Sequence, residues 1–531
     1  MSPPKQTATR ERRTSILDVG GPNSINNFAS SYSRVQSYMS HCLDDRRSID
    51  LDDDLSPGTS PVQEYASIEG NEEELDSNAI FLNSPERSSD ASGRGRHGHE
   101  SLKSFQFPHN DLESSPLLQP RVRSGSQSSS RFAGITGGST APQTIFNSIN
   151  TLMGIGMLSL PFGFKLTGWV LGTFILASCA ITTNYTAKIL GRVLKRHHAL
   201  GSYGDIAQEA YGSIANVLVS SVFTADLVGA TASLVILFGD SFGILIPSVS
   251  PAIFKTIMMS TVFISSFLPL SALSMFSLLG IICTSGVVAI ILYCGLTVSG
   301  SGSLLNPAPT ELWPSNPYHV LLALGIFMAP WGGHVVFPEL YRDMRHPKKF
   351  DTCANVTFNA TFFMDYVIAA VGFVMFGSKC KDSFTKNLML EPNFPNWVPT
   401  VICLLLGILA MVKAPLLIRP VLSVLERLVS TGNSHTTKNN LSIKKVLIRF
   451  LYCGFLLFIS LVVTSFGGIM AFLGSAICFT ICVILPLMFS LTLFRDEHSI
   501  LQRVLLRTGI VIGIICAVGG TYAAITVDTD F

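Results

Sequence analysis

Charged side chains are scarce in this chain, 14% of 531 residues against 48% hydrophobic ones. Soluble domains carry about 25%, so an ordinary water-facing surface is excluded for much of its length. Paired cysteine spacing is missing too. Of eleven cysteines, Cys179, Cys283, Cys294, Cys403, Cys453, Cys478, Cys482 and Cys516 stand in apolar runs, where Cys acts as a small hydrophobe. Cys380 sits in a loop with no loop partner. Neither a disulfide framework nor a zinc site is expected. There is no P-loop, Walker pair, His/Glu zinc helix or nucleophile elbow. The chain is therefore read as neither an enzyme nor a nucleotide-driven pump, and no cofactor is expected. The first 30 residues hold charges and no apolar core, so the first true span is expected to act as an internal insertion signal.

What is present divides in two. Residues 1–138 hold 14 Lys and Arg against 19 Asp and Glu; the remainder holds 23 against 16. The basic residues of the second region lie in loops between apolar runs rather than on one face, which argues against nucleic-acid binding. The first region is Ser-rich with mixed charge blocks and is expected to be a disordered cytosolic tail. Arg12-Arg13-Thr14-Ser15, Arg46-Arg47-Ser48 and Arg121-Val122-Arg123-Ser124 are candidate phosphorylation sites; a merely solvated Ser/Arg tail is the other reading. Glu113, Leu117 and Leu118 fit an acidic-dileucine sorting pattern that a sorting adaptor would read, and such short patterns also arise by chance.

Residues 139–527 read as an all-α integral membrane domain of eleven transmembrane helices, with 528–531 as a short lumenal C-terminus. The runs lie at 143–165, 167–190, 213–238, 253–272, 274–297, 318–339, 353–376, 397–418, 446–467, 470–493 and 506–526. Each is near the length of about 20 residues that crosses a bilayer. Lys and Arg cluster in alternate loops, at Arg192, Lys195 and Arg196, at Arg342 to Lys349, at Arg427 to Lys445 and at Arg495 to Arg507. By the positive-inside rule this places the tail in the cytosol and the C-terminus on the opposite side.

Two runs are interrupted. The first holds Gly154 and Gly156, with Pro161 beyond; the sixth holds Pro330, Gly332 and Gly333, with Pro338 beyond. Helix breakers at membrane depth are tolerated only where the freed backbone groups meet protein, water or a ligand. A broken span in each half of the chain marks a transporter's substrate site. Breaks in the first and sixth spans give two groups of five helices in opposite orientation, a five-plus-five inverted repeat with one extra helix. An unwound segment offers free amides and carbonyls and the positive end of a half-helix. A zwitterion with both charges at one end suits that arrangement. The alternative is that the glycines serve only close helix packing. The substrate-site reading covers Gly154 and Gly156 in the first break and Ala329, Trp331, Gly332 and His334 in the second.

Ionisable groups within spans are costly and are functional candidates. Asp226, mid-way along the third span, is a candidate for proton coupling or for a structural hydrogen bond. His334, a residue type that titrates near neutrality, is a candidate for both substrate contact and proton coupling. Lys413 is read as snorkelling to the interface rather than pairing with Asp365. Asp240 and Glu339 are expected to face water.

The residues from Ser139-Thr140-Ala141-Pro142 through Asn147 and Gly154-Ile155-Gly156 to Leu160-Pro161 and Gly168-Trp169 resemble the first helix of the amino acid/auxin permease family. Ser202-Tyr203-Gly204-Asp205-Ile206-Ala207 with Ala210-Tyr211-Gly212 is similar to that family's signature before its third helix. Gly333-His334 and Pro338 resemble its sixth. With its long polar tail the chain is most similar to the fungal vacuolar amino acid transporters, near the vesicular inhibitory amino acid transporters. The resemblance implies a LeuT-type fold and substrate contact at Asn150, Thr151, Leu152, Met153 and Gly154. It also implies proton-coupled transport of neutral amino acids across the vacuolar membrane, driven by the proton gradient. The expected direction is antiport into the vacuole. Export by proton symport, or a non-transporting amino acid receptor signalling through its tail, are the alternatives. The expected partners are the amino acid, protons and the lipid bilayer.

Overall fold

The computed structural model describes residues 30–35, 138–268, 270–430 and 443–527, without the side chains of 270–278 and 427–430. The Glu113, Leu117 and Leu118 motif, the three basic-hydroxyl sites and residues 528–531 lie outside the described residues. Regular structure within them is helical, apart from one isolated bridge between Ser139 and Met344.

The first span begins as α1, Ala141–Leu152. Its start is specified locally: the Thr140 N–H bonds Gln143 Oε1 at 2.9 Å, and Pro142 occupies the first turn, where a missing N–H costs nothing. The helix stops at Leu152. Met153 leaves helical geometry and Gly154 is extended, with φ −101° and ψ −166°. The chain restarts as a 3-10 turn, Ile155–Ser159, and continues as α2, Leu160–Arg196. α2 is two helices joined at Gly168, whose φ of 72° excludes most side chains. A β-carbon there would also lie 2.6 Å from the Leu312 carbonyl carbon.

A short helix, α3 (Tyr203–Tyr211), opens with a capping box: Asp205 N–H to Ser202 Oγ at 3.0 Å and Ser202 N–H to Asp205 Oδ2 at 2.8 Å. Then come α4 (Ser213–Leu245), α5 (Pro251–Ser265) and α6 (Leu270–Thr297). The expected turn between the fourth and fifth spans lies several residues too late. α5 ends at Ser265, and Pro269 three residues beyond its cap has no N–H with which to continue the helical bonding.

The second interrupted span is α7 (Pro317–Met328), two 3-10 turns at Ala329–Trp331 and His334–Val336 flanking Gly332 and Gly333, and α8 (Phe337–Asp343). Next come α9 (Phe350–Phe376), the short α10 (Phe384–Leu390), α11 (Trp397–Ser430) and α12 (Ile443–Val462). The tenth span is α13 (Phe466–Phe472), a π-helix over Leu473–Ile484, and α14 (Leu485–Leu493). The last helix is α15 (Ile500–Thr526).

Among the described residues, nine helical stretches are long and apolar enough to cross a membrane. Dividing the longest at Gly168 and adding the shorter Pro251–Ser265 gives eleven apolar helical segments. The interrupted ones head two groups of five, 141–297 and 317–493, and α15 is left over. This is the LeuT-type order.

The expectation of an unstructured tail through residue 138 does not hold for residues 30–35. They form a helical turn with Ser31 and Val35 buried. Short segments gain order from tertiary contacts rather than local propensity, and composition does not reveal those contacts.

Candidate functional site

The two interruptions meet. A β-carbon on Gly156 would sit 3.4 Å from Pro330 N and 3.6 Å from the Ala329 carbonyl carbon, so the backbones of the two breaks touch. One on Gly333 would lie 2.8 Å from Leu152 Cδ2. Glycine at these positions permits the approach.

Beside this junction lies a cavity of about 200 Å³. At about 30 Å³ per water molecule, that is room for one small solute. Asn150, Thr151, Leu152, Gly154 and Gly156 line it from the first break, and Ala329 and Gly332 from the second. Met153, Trp331 and His334 are not part of the lining. Apolar walls come from Leu227 and Leu234 of α4, Leu416 and Leu417 of α11, and Met470 and Leu473 of the tenth span.

The freed carbonyls have partners of unusual kinds. Lys413 Nζ donates to the Met153 carbonyl at 3.0 Å, and Ser159 Oγ to that of Gly156 at 2.7 Å. Cys482 Sγ lies 3.3 Å from the Trp331 carbonyl and Cys478 Sγ 4.0 Å from that of Ala329. Both thiols project from the π-helix. Such helices are rare and cluster at functional sites. The helix restarting at Ile155 still begins with amides that lack intrahelical partners.

Lys413 does not snorkel. α11 runs from Trp397 to Ser430, well past the expected end at 418, which leaves Lys413 near its middle. The 17 residues on to Ser430, at the tail-side end, span about 26 Å, beyond the reach of a lysine side chain. Its ammonium points instead at the break and lines the cavity. Asp226 lines the same cavity from α4 and forms no ion pair or hydrogen bond with the described residues. The site thus holds one cationic and one anionic side chain among apolar walls.

His334 is fully buried, with Nε2 2.9 Å from Thr186 Oγ1 and 3.1 Å from the Thr183 carbonyl. The Thr186 hydroxyl already donates to backbone carbonyls of its own helix, so it accepts from the ring N–H. His334 therefore ties the second break to α2. Trp331 stacks on Phe358, the ring centroids 5.8 Å apart. Asp365 is buried away from the cavity, and Lys413 makes no bond to it.

Away from the tail, Lys386 on α10 bridges two carboxylates, Asp240 Oδ2 at 2.9 Å and Asp382 Oδ1 at 3.1 Å. Asp382 also accepts from Gly467 N–H at 3.2 Å. The expectation that Asp240 faces water therefore fails, since it is four-fifths buried in an ion pair. Glu339 is likewise buried. Both lie near span ends, but Asp240 is covered by the connecting segment that carries Lys386. Cys380 is buried with Sγ 3.5 Å from the Gly372 carbonyl; burial pushes its thiol pKa up to about 12.

The sequence model of the family described as "Transmembrane amino acid transporter protein" matches residues 137–526. Among individual proteins, the chain is similar to the amino acid transporter AVT1E of Arabidopsis thaliana, 29% identical over 73% of each chain. It is also similar to AVT1B of the same plant, 28% identical over 80% of this chain and 77% of the other. Among solved structures, a Na+-coupled sialic acid symporter aligns with a TM-score of 0.44 at 12% identity, covering 73% of this chain and 90% of that one. A manganese transporter of Eremococcus coleocola aligns at 0.41 and 11%, covering 72% and 95%.

Proposed function

The chain belongs to the transmembrane amino acid transporter family, and from that premise we propose that it carries neutral amino acids across the vacuolar membrane into the lumen in exchange for protons. The observation that carries this reading is the cavity itself, where two helix breaks, Lys413 and Asp226 converge. Support for the vacuolar setting is the resemblance of residues 139–526 to the vacuolar branch of the family.

A zwitterion fits the site by charge. Its carboxylate docks on the amides of the helix that restarts at Ile155, with the Lys413 ammonium near by. Its ammonium meets the Asp226 carboxylate. A net-neutral solute leaves the charge of the cavity unchanged, and the leucine and methionine walls take an uncharged side chain. Exchange then follows from competition. A proton on Asp226 removes the anion that the substrate ammonium needs, so proton and substrate occupy the site in turn. On the acidic side protonation expels the amino acid. On the neutral side the proton leaves and substrate enters. Opening the site to one side at a time turns that alternation into antiport.

Protein reconstituted in liposomes with an acidic interior tests this. Labelled neutral amino acid should accumulate inside, and a protonophore should abolish the uptake. Substrate affinity should fall as pH drops, and Asp226→Asn should bind weakly and without pH dependence. A charged hydrogen bond contributes about 1.5–3 kcal/mol, or roughly ten- to a hundredfold in affinity. Affinity that rises on acidification would favour symport. An Asp226→Asn protein with wild-type pH dependence would take Asp226 out of the mechanism.

A further inference from the structure

Tyr32 lines the same cavity as Asp226 and Lys413, although over a hundred residues separate it from the first membrane helix. It does so because residues 30–35 are fastened to the seam between the two broken spans. Asn147 Nδ2 on α1 donates to Ser31 Oγ at 2.8 Å. Ser31 Oγ also bonds Ser139 Oγ, just before α1, and donates to Asp343 Oδ2 at 3.3 Å, at the end of α8. Arg34 forks onto Asp343, Nε to Oδ1 at 2.7 Å and Nη2 to Oδ2 at 3.1 Å. Val35 is 2% exposed in the core. Gly138 leaves room for the guanidinium: a β-carbon there would fall 2.8 Å from Arg34 Nη2.

α1 and α8 are the tail-side halves of the interrupted helices, and a solute leaving or entering on that side must part them or pass between them. We propose that the tail-side mouth of the cavity is a docking site for residues 30–35 of the same chain, and that its occupancy holds the path shut. The proposal rests on the reading of the cavity as the transport path, but the docking itself does not. Ser31 is the sensitive point. It is buried against the Asp343 carboxylate, and Arg34, the cation beside it, is already engaged there. A second anion at Ser31 would be repelled and unsolvated, so a carboxylate or phosphoryl group there prevents seating.

The test uses the full-length protein in liposomes and alters only the segment, so the membrane core is left as it is. Val35→Cys reports seating through its rate of maleimide labelling, with the parent protein measured alongside. Labelling should be slow in the single variant. It should accelerate at least tenfold when Ser31→Glu or Arg34→Glu is added. In proteins without the cysteine, the same two substitutions should raise the initial transport rate at saturating substrate severalfold, as should Tyr32→Ala. Equal labelling rates in all variants would overturn the docking. Faster labelling with an unchanged transport rate would overturn the gating. The labelling contrast without transport by any protein, wild type included, would support the docking and count against the transporter reading instead.

Discussion

Replacing Lys413 with methionine tests how the first break is held open. The ammonium donates to the Met153 carbonyl at 3.0 Å, the last carbonyl before the chain turns extended at Gly154. Methionine keeps most of the length and apolar contact of the stem but donates nothing. A hydrogen bond from a charged donor contributes about 1.5–3 kcal/mol, and a buried carbonyl left unpaired costs about 1–3 kcal/mol. Without the ammonium, the unwound arrangement loses roughly 2 kcal/mol against alternatives in which Met153 finds a helical partner. At 1.4 kcal/mol per factor of ten, that is at most a roughly 25-fold fall in the fraction of protein competent to bind. Apparent affinity falls by the same factor, because a ligand pays for populating the state it selects. Equilibrium binding of a labelled neutral amino acid to purified protein measures it, with thermal unfolding alongside to show that the fold survives. Lys413→Arg, which keeps a cationic donor, should lose less. Wild-type affinity in Lys413→Met would refute the reasoning and return the side chain to a snorkelling role.

Two further predictions rest on separate geometry. Gly154→Ala should bind substrate nearly normally, since the nearest atoms to the new β-carbon lie at 3.9 and 4.0 Å. Gly154→Leu should lose at least about tenfold in affinity, or 1.4 kcal/mol, by filling a cavity of about 200 Å³; equal binding by both variants would place the substrate elsewhere. Lys386→Met should lower thermal stability by about 2 kcal/mol, less than the 3–5 kcal/mol for breaking a fully buried pair, because Lys386 is 19% exposed. Burial alone lowers the lysine pKa, but the Asp382 and Asp240 carboxylates outweigh it and hold the value above the ordinary one. The stabilisation is thus complete below the unfolded lysine pKa near 10.4 and is lost only as pH rises through the higher folded value. The stability difference between wild type and Lys386→Met should therefore stay constant from pH 6 to 8, and a marked change across that range would contradict the assignment.

Both breaks were legible because their cause is local. Gly154, Gly156, Pro330, Gly332 and Gly333 interrupt a helix whatever surrounds them, and residues 150–156 and 329–332 supply nine of the cavity's lining positions. Lys413 was misjudged for a local reason as well. Arg419, Pro420 and Glu426 look like the end of a membrane helix, yet α11 passes through all three because its neighbours cover them. Arg449 Nε meets Glu426 Oε1 at 2.7 Å, for instance. The π-helix had no signature at all, since an i to i+5 bonding pattern selects no residue type. Cys478 and Cys482 therefore read as filler in an apolar run. Residues 30–35 were invisible for the opposite reason. Their order depends on Asn147, Ser139 and Asp343, and no composition measure on a polar tail registers a partner that lies more than 100 residues away.

On the proposed antiport reading the site needs a breakable closure on each side, and the charge clusters on its two sides differ in chemistry. On the side away from the tail, Lys386 joins α4 to the segment carrying Asp382, and all three charges are largely buried. Buried pairs of this kind are little screened by salt, and the lysine keeps its charge throughout the physiological range. Such a seal yields to rearrangement of the helices that carry it rather than to small changes in solution conditions. On the tail side, Arg34 is 36% exposed and stands on a segment outside the membrane core. Its bond to Asp343 is accessible to ions and to anything that binds or modifies the tail. The far seal is therefore suited to be broken by the transport cycle itself, and the near one to be set from outside it. On that division the tail acts on access to the cavity, which Tyr32 lines beside the residues of the membrane domain. The same division orders the expected effects: changes at Lys386 alter stability and the cycle together, whereas changes at Ser31 or Arg34 alter how much of the protein is free to enter the cycle and leave substrate affinity in the freed fraction as it was.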